Sequence, residues 1–322
     1  MTSTPGPVLA FCGGIGGAKL ALGLSRVLDA GQLIVAVNTG DDFEHLGLNI
    51  SPDIDTVLYT LGGVADPERG WGRAQETWNF MAALGELGGE RWFNLGDRDL
   101  ATHIERTRFL REGGTLSAFV ARAARALGIA AQVVPMTDDP VRTMVETDEG
   151  DLPFQRYFVE RRAAPIVRAL RFEGADRASL SHGVSAALSR PDLRAIVICP
   201  SNPYLSVDPI LAVPGVRVAL ARATAPVVAV SPIIGGQAVK GPTVKIMAEL
   251  GVHATNVSIA AHYRGLIDGL VIDASDAADS DRIALPVLAT RTLMQDLADR
   301  TRLAAEVLAF ADAMVPAGAR QS

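Results

Sequence analysis

The sequence predicts an α/β fold of the Rossmann-like, doubly wound kind, a mostly parallel sheet carrying a small hairpin/helical insertion. Three observations carry this prediction. The apolar run Val8-Leu9-Ala10-Phe11 passes directly into Gly13-Gly14-Ile15-Gly16-Gly17-Ala18-Lys19 and then into helix-forming residues Leu20 to Leu28, the pattern of a strand, a turn and a helix. Further β-branched runs, Leu33 to Val37, Ile196 to Ile198 and Val227 to Val230, end in small polar or glycine-containing turns, as buried parallel strands do. Helical periodicity lies between them, over Ala74 to Leu87, Leu116 to Leu127, Ser181 to Ser189, Val244 to Leu250 and about Arg291 to Ala313. In such a fold, ligands gather at the carboxyl ends of the strands.

With 322 residues, 48% of them hydrophobic and only 5% aromatic, the chain has enough apolar material for a large core. We read 1–322 as one domain, with an insertion at about 142–172 and a disordered tail after about 315. A net charge of -6 without a Lys/Arg cluster argues against polymeric nucleic acid as a partner. No apolar run is long enough for a membrane span, and Met1 to Pro7 lack a basic segment leading into one. Cys12 and Cys199 have no zinc-type spacing, so buried thiols in a reducing cytoplasm are expected.

The first glycine cluster is the first candidate site. Glycines admit close approach of a ligand, and the N–H groups at the head of the following helix favour a phosphate. The cluster is not a P-loop, because Leu20 stands where Ser or Thr would hold magnesium after Lys19. It is not the dinucleotide fingerprint either, because Lys19 replaces its third glycine. A glycine-rich turn without a ligand is the plain alternative.

After the second strand come Asn38-Thr39-Gly40-Asp41-Asp42, and then Ser51-Pro52-Asp53-Ile54-Asp55-Thr56 at the start of a helix. Carboxylates gathered this way suit magnesium, which takes one or two of them together with water and phosphate oxygens. Helix capping by Ser51 or Asp53 accounts for part of the pattern, but not for Asp41 and Asp42. Next, Asp66 to Arg73 carries Trp71 between two glycines, a candidate stacking platform, whereas Trp78 reads as core. The segment Trp92 to His103 contains Asp97, Arg98 and Asp99, read either as a surface turn with an internal ion pair or as a recognition loop. His103 is a weaker candidate that can equally be a solvated helix residue.

From Arg142 to Phe172 the alternation breaks into a strand, the turn Asp148-Glu149-Gly150, a second strand and the basic segment Arg156 to Arg168. Two later strand-end loops extend the phosphate theme. Cys199 to Val207 supplies Ser201, Asn202 and Ser206, where a nucleoside can be read. Ser231 to Pro242 supplies Gly235, Gly236 and Lys240. Each alone can be only a turn.

Together these stretches resemble the 2-phospho-L-lactate transferase (CofD-like) family of coenzyme F-420 biosynthesis. The matching stretches are Gly13 to Lys19, Asn38 to Asp42, Pro52 to Gly63, Asp66 to Trp78, Leu95 to His103, Ser201 to Val207 and Pro232 to Gly241. The resemblance implies a homodimer of Rossmann-like subunits that joins the deazaflavin Fo to a small phosphorylated acid. The ribityl hydroxyl of Fo attacks a guanosine diphosphate donor carrying a lactyl, enolpyruvyl or phosphoglyceryl group, and GMP leaves. On this scheme Gly13, Gly14, Gly16, Gly17 and Lys19 hold the donor diphosphate, with Gly235, Gly236 and Lys240 assisting. Ser201, Asn202 and Ser206 read the guanosine, and Thr39, Trp71, Asp97, Arg98 and Asp99 line the Fo pocket. Asp41, Asp42 and Asp55 bind Mg2+ or orient the attacking hydroxyl. The runner-up is a non-catalytic nucleotide-sugar-binding regulator of the same fold.

Overall fold

The computed structural model describes residues 6–238 and 241–314, and its centre is a seven-stranded sheet. In chain order the strands are β1 (Val8–Cys12), β2 (Leu33–Val37), β3 (Gln132–Pro135), β4 (Ala195–Ile198), β5 (Val227–Val230), β6 (Gly269–Asp273) and β7 (Val287–Thr290). Every neighbouring pair is parallel, and the spatial order is β3-β2-β1-β4-β5-β6-β7. The chain winds outward from β1 to one edge, returns, and winds from β4 to the other. The order therefore reverses between β1 and β4, which opens a crevice at their carboxyl ends.

Alternation along β1 explains the three layers. Val8, Ala10 and Cys12 point into one core, shared with helices α1 (Gly14–Val27), α2 (Pro52–Leu61), α5 (Leu116–Ala126) and the C-terminal helix Leu297–Met314. Leu9 and Phe11 point into the opposite core, with Val184, Ile210, Val216 and Ile259. A central strand buried on both faces must be apolar at every position, and β1, β2, β4 and β5 are buried throughout.

Several elements differ from the sequence expectation. The helix expected over Ala74 to Leu87 is confined to α3 (Asn79–Glu86). Residues before it turn instead, since the Ala74 N–H is committed to the Val64 carbonyl and Gln75 has φ of 56°. The segment read as a turn at Asp97-Arg98-Asp99 is the first turn of α4 (Asp97–Arg111). The C-terminal helix begins at Leu297 rather than Arg291. Thr292 is held by Asp273 through its N–H and hydroxyl, and Asp296 accepts from the Asp299 N–H as an N-cap. The insertion holds a third strand, Val167–Glu173, beside the expected Arg142–Thr147 and Gly150–Pro153, in a small antiparallel sheet. Strands β3, β6 and β7 were not singled out from sequence. Lys240 and the tail after 315 lie outside the described residues.

Candidate functional site

The crevice at the β1/β4 reversal holds a cavity of about 610 Å³. Its floor is the glycine turn. Gly13, Gly14, Gly16 and Lys19 line it together with Ser201, Asn202 and Ser206 from the loop after β4. The glycines are required first by the protein itself. A Cβ on Gly16 would lie 2.3 Å from the Pro200 carbonyl oxygen, and one on Gly13 would lie 2.6 Å from Ser206 Cβ. The Ser201 hydroxyl ties the loops by donating to the Gly13 carbonyl (2.7 Å) and accepting from its N–H (3.1 Å). Gly17 is buried against Ser201 and Cys12 and does not line the cavity.

The head of α1 already carries an anion. Asp53, on α2, accepts from the Gly14 N–H at 2.7 Å and from Asn38 Nδ2 at 2.9 Å. Asp53 thus does not cap its own helix, and Ser51, at the N-cap position of α2, makes no side-chain capping bond because its hydroxyl donates to Asp42 (2.8 Å). The next N–H groups of the first turn, on Ile15 and Gly16, have no carbonyl four residues back within the helix. Lys19 reaches across to the Met294 carbonyl (2.9 Å) and also lines the cavity.

The expected carboxylate cluster separates into two sets. Asp41 lines the cavity beside Asp53. Burial, followed by the Asp53 charge, pushes the Asp41 carboxyl well above its ordinary range. Burial also raises Asp53 to about 6, opposed by its bonds from Asn38 and Gly14. Asp42 is raised to about 7 by burial, opposed by the Arg142 charge and Ser51, and it does not line the cavity.

The second set joins α2 to α4. Asp55, Asp99 and His103 each offer a ligand atom, and these lie within 4.8 Å of one another. Among the described residues this is the group with that spacing: of the expected trio Asp55 belongs to it and Asp41 and Asp42 do not, while Asp99 and His103 join it. Asp55 Oδ2 and His103 Nδ1 are buried 3.7 Å apart without a hydrogen-bond partner, while His103 Nε2 lies 3.2 Å from Asp99 Oδ2. Orphaned acceptors and an imidazole facing one another can hold a divalent cation. Burial raises Asp55, opposed by Arg106 and His103, whereas Asp99, though largely buried, is held below its ordinary value by His103 and Tyr59. Tyr59 shares its hydroxyl with Asp99 Oδ1 at 2.5 Å and with Thr102 Oγ1 at 2.8 Å. Arg106, wholly buried, completes this set by bonding Asp55 and the Asn49 carbonyl (3.2 Å). Sequence reading missed Arg106, although its spacing from Asp99 and His103 puts all three on one helical face.

The wall is aromatic. Trp71 (41% exposed), Tyr59, Phe93, Phe154 and Phe158 line it, and Arg69 lies 5.4 Å from the Trp71 ring centroid. Phe154 and Phe158 come from the insertion, stacked at 5.4 Å with an interplanar angle of 6°. Of the residues expected to line an Fo pocket, Trp71 and Asp99 line this cavity. Asp97 does not, because its carboxylate caps α3 through the Asn79 and Phe80 N–H groups and the Thr77 hydroxyl. Arg98 is exposed and bonds Gln75, and Thr39 is buried away from the cavity. Gly235 and Gly236 form the turn of the hairpin Ile233–Ile234/Gln237–Ala238, outside the lining, with the Gly235 N–H donating to Asp276. No helix among the described residues is long and apolar enough to cross a membrane.

The model of the family described as 2-phospho-L-lactate transferase CofD matches residues 8–313. The chain is 41% identical over 314 residues to a Streptomyces coelicolor protein named phosphoenolpyruvate transferase, covering 95% of this chain and 98% of that one. It is 40% identical over 272 residues to a Methanosarcina mazei protein named 2-phospho-L-lactate transferase, covering 84% and 88%. A Mycobacterium tuberculosis protein named phosphoenolpyruvate transferase is 38% identical over 311 residues, covering 88% and 93%. Among solved structures, a Bacillus halodurans protein of the UPF0052 family superposes with a TM-score of 0.62 at 15% identity, covering 94% of this chain and 99% of that one, a likeness of fold. The chain belongs to the CofD family, and it is a transferase with a phosphotransferase-type role in coenzyme F-420 biosynthesis.

Proposed function

We propose that this transferase moves an enolpyruvyl-bearing phosphoryl group from a guanosine diphosphate donor to the ribityl hydroxyl of the deazaflavin Fo, releasing GMP. The observation that carries this reading is one cavity joining an anion-binding helix head, an aromatic wall and an orphaned carboxylate-imidazole group. The choice of acid follows the relatives named phosphoenolpyruvate transferase that match 95% and 88% of the chain.

In the proposed reaction the Fo hydroxyl oxygen forms a bond to the phosphorus distal to guanosine while the P–O–P bridge breaks toward GMP. The Ile15 and Gly16 N–H groups and Lys19 take the diphosphate, and Ser201, Asn202 and Ser206 face the guanosine side. Trp71, Phe154 and Phe158 hold the deazaflavin ring by stacking. Asp41, whose raised pKa comes from burial beside Asp53, accepts the hydroxyl proton. Asp55, Asp99 and His103 would hold magnesium, which would supply positive charge to the phosphate oxygens.

The test is mass spectrometry of reactions containing the protein, Fo, magnesium and, in turn, the lactyl, enolpyruvyl and phosphoglyceryl guanosine diphosphates. Product and GMP from the enolpyruvyl donor, and none without magnesium, are expected. A different preferred donor corrects the acid alone. Tight nucleotide binding with no product from any donor overturns transfer in favour of a regulator.

A further inference from the structure

We propose that Arg106 is a positioning residue for the Asp55-Asp99-His103 group, holding one Asp55 oxygen so that the other faces Asp99 and His103. The proposal rests on the metal-binding reading above. Arg106 Nη2 bonds Asp55 Oδ1, and Nη1 donates to the Asn49 carbonyl, so two points fix the guanidinium plane. The Phe119 ring lies 5.3 Å from its carbon and closes the remaining side. With Oδ1 committed, Oδ2 is left 3.7 Å from His103 Nδ1, buried and without a hydrogen bond.

The placement follows from one helical face. Asp99, His103 and Arg106 follow one another at intervals of about one turn along α4, so a single helix delivers a carboxylate, an imidazole and a guanidinium toward α2. Without Arg106, Asp55 would be free to rotate away from the carboxylate of Asp99. A lysine supplies the charge but no planar fork, so it cannot hold Asp55 and the Asn49 carbonyl together in one plane. A purely structural ion pair would change stability when altered, without changing metal affinity.

The experiment measures Mn2+ binding to the full chain, without substrates, by electron paramagnetic resonance, together with circular dichroism and Tm. Arg106→Lys and Arg106→Gln are expected to keep the helical spectrum and weaken Mn2+ binding about tenfold or more, the usual effect of losing a partner behind a metal ligand. Asp97→Asn serves as a control that lowers Tm without changing Mn2+ affinity. Should both Arg106 variants unfold, Phe119→Leu removes the supporting ring without touching a polar atom, and a several-fold weaker affinity is expected. Folded Arg106 variants with wild-type affinity, or an unchanged Phe119→Leu in the unfolding case, overturn the positioning role alone. A wild-type protein that binds no Mn2+ overturns the metal-binding reading and this inference with it.

Discussion

The carboxylate of Asp53 sits 2.7 Å from the N–H of Gly14, so α2 closes the head of α1 with an anion of the protein's own. The second oxygen of Asp53 is held by Asn38 at the end of β2. Three chain segments that follow different strands or turns thereby share one carboxylate. Its protonation therefore bears on how these segments hold together.

Burial lifts Asp53 to about 6 and Asp42 to about 7, both above the ordinary 3.8. These two groups therefore hold more protons in the folded chain than in the unfolded chain between about pH 4 and pH 7, and their contribution to stability falls as pH rises through that window. Urea midpoints measured across it should decline and then level. Asp42→Asn, which keeps an acceptor for Ser51, should flatten the decline, and a steeper decline in that variant would contradict the assignment.

Gly16→Ala places a Cβ 2.3 Å from the Pro200 carbonyl, a backbone atom that cannot swing away. The β1 and β4 loops must separate, at a cost of about 1–3 kcal/mol. A lower Tm together with reduced kcat is expected. Gly14→Ala meets nothing nearer than Ser206 Oγ at 3.9 Å, but its φ of 64° is left-handed, so a milder loss of about 1 kcal/mol is expected. Equal losses in the two variants would argue against the packing explanation.

Removing a ring from the aromatic wall tests where the flat acceptor lies. Trp71→Ala and Phe158→Ala should each raise the KM for Fo by the loss of about 1–3 kcal/mol of stacking, with the donor KM unchanged. Initial rates with each substrate varied in turn decide the matter. A rise in the donor KM instead would put the nucleotide against this wall.

Asp97 caps a helix while Asp99, within the same turn, lines the cavity, so the proposed function predicts different consequences for the two. Asp97 is held at about 2, first by the Thr77 hydroxyl and then by N–H groups of α3. Its contribution to stability is present above the ordinary carboxylate range and is lost as pH falls through about 2. Asp97→Asn should lower Tm by a few degrees with kcat nearly intact, whereas Asp99→Asn should lose magnesium-dependent turnover by about tenfold or more. Urea unfolding beside steady-state assays distinguishes them, and a larger kcat loss in Asp97→Asn would reverse the assignment.

Much of the site was legible because its residues sit at strand ends. Gly13, Gly14, Gly16, Lys19, Ser201, Asn202 and Ser206 all follow β1 or β4 and line the cavity where the strand order reverses. Asp97, Arg98 and Thr39 were drawn toward the site by their neighbours in sequence, yet helix geometry and local capping turn them elsewhere. Phe154 and Phe158 escaped notice because nothing in the hairpin pattern shows which strands it will fold against.

Local pattern alone determined the Rossmann-like class, since a strand buried on both faces must be continuously apolar and its glycine turn must precede a helix. It also determined which loops carry polar chemistry. Only the tertiary structure decided the pairings: Asp53 with Gly14, Asp55 with Arg106 and His103, and the insertion's aromatics with Trp71 around one cavity. They depend on how α2 meets α1 and α4, and on where the insertion packs. Side chains tens of residues apart are brought together by packing of apolar faces, and periodicity reports that a face exists without saying what it will meet.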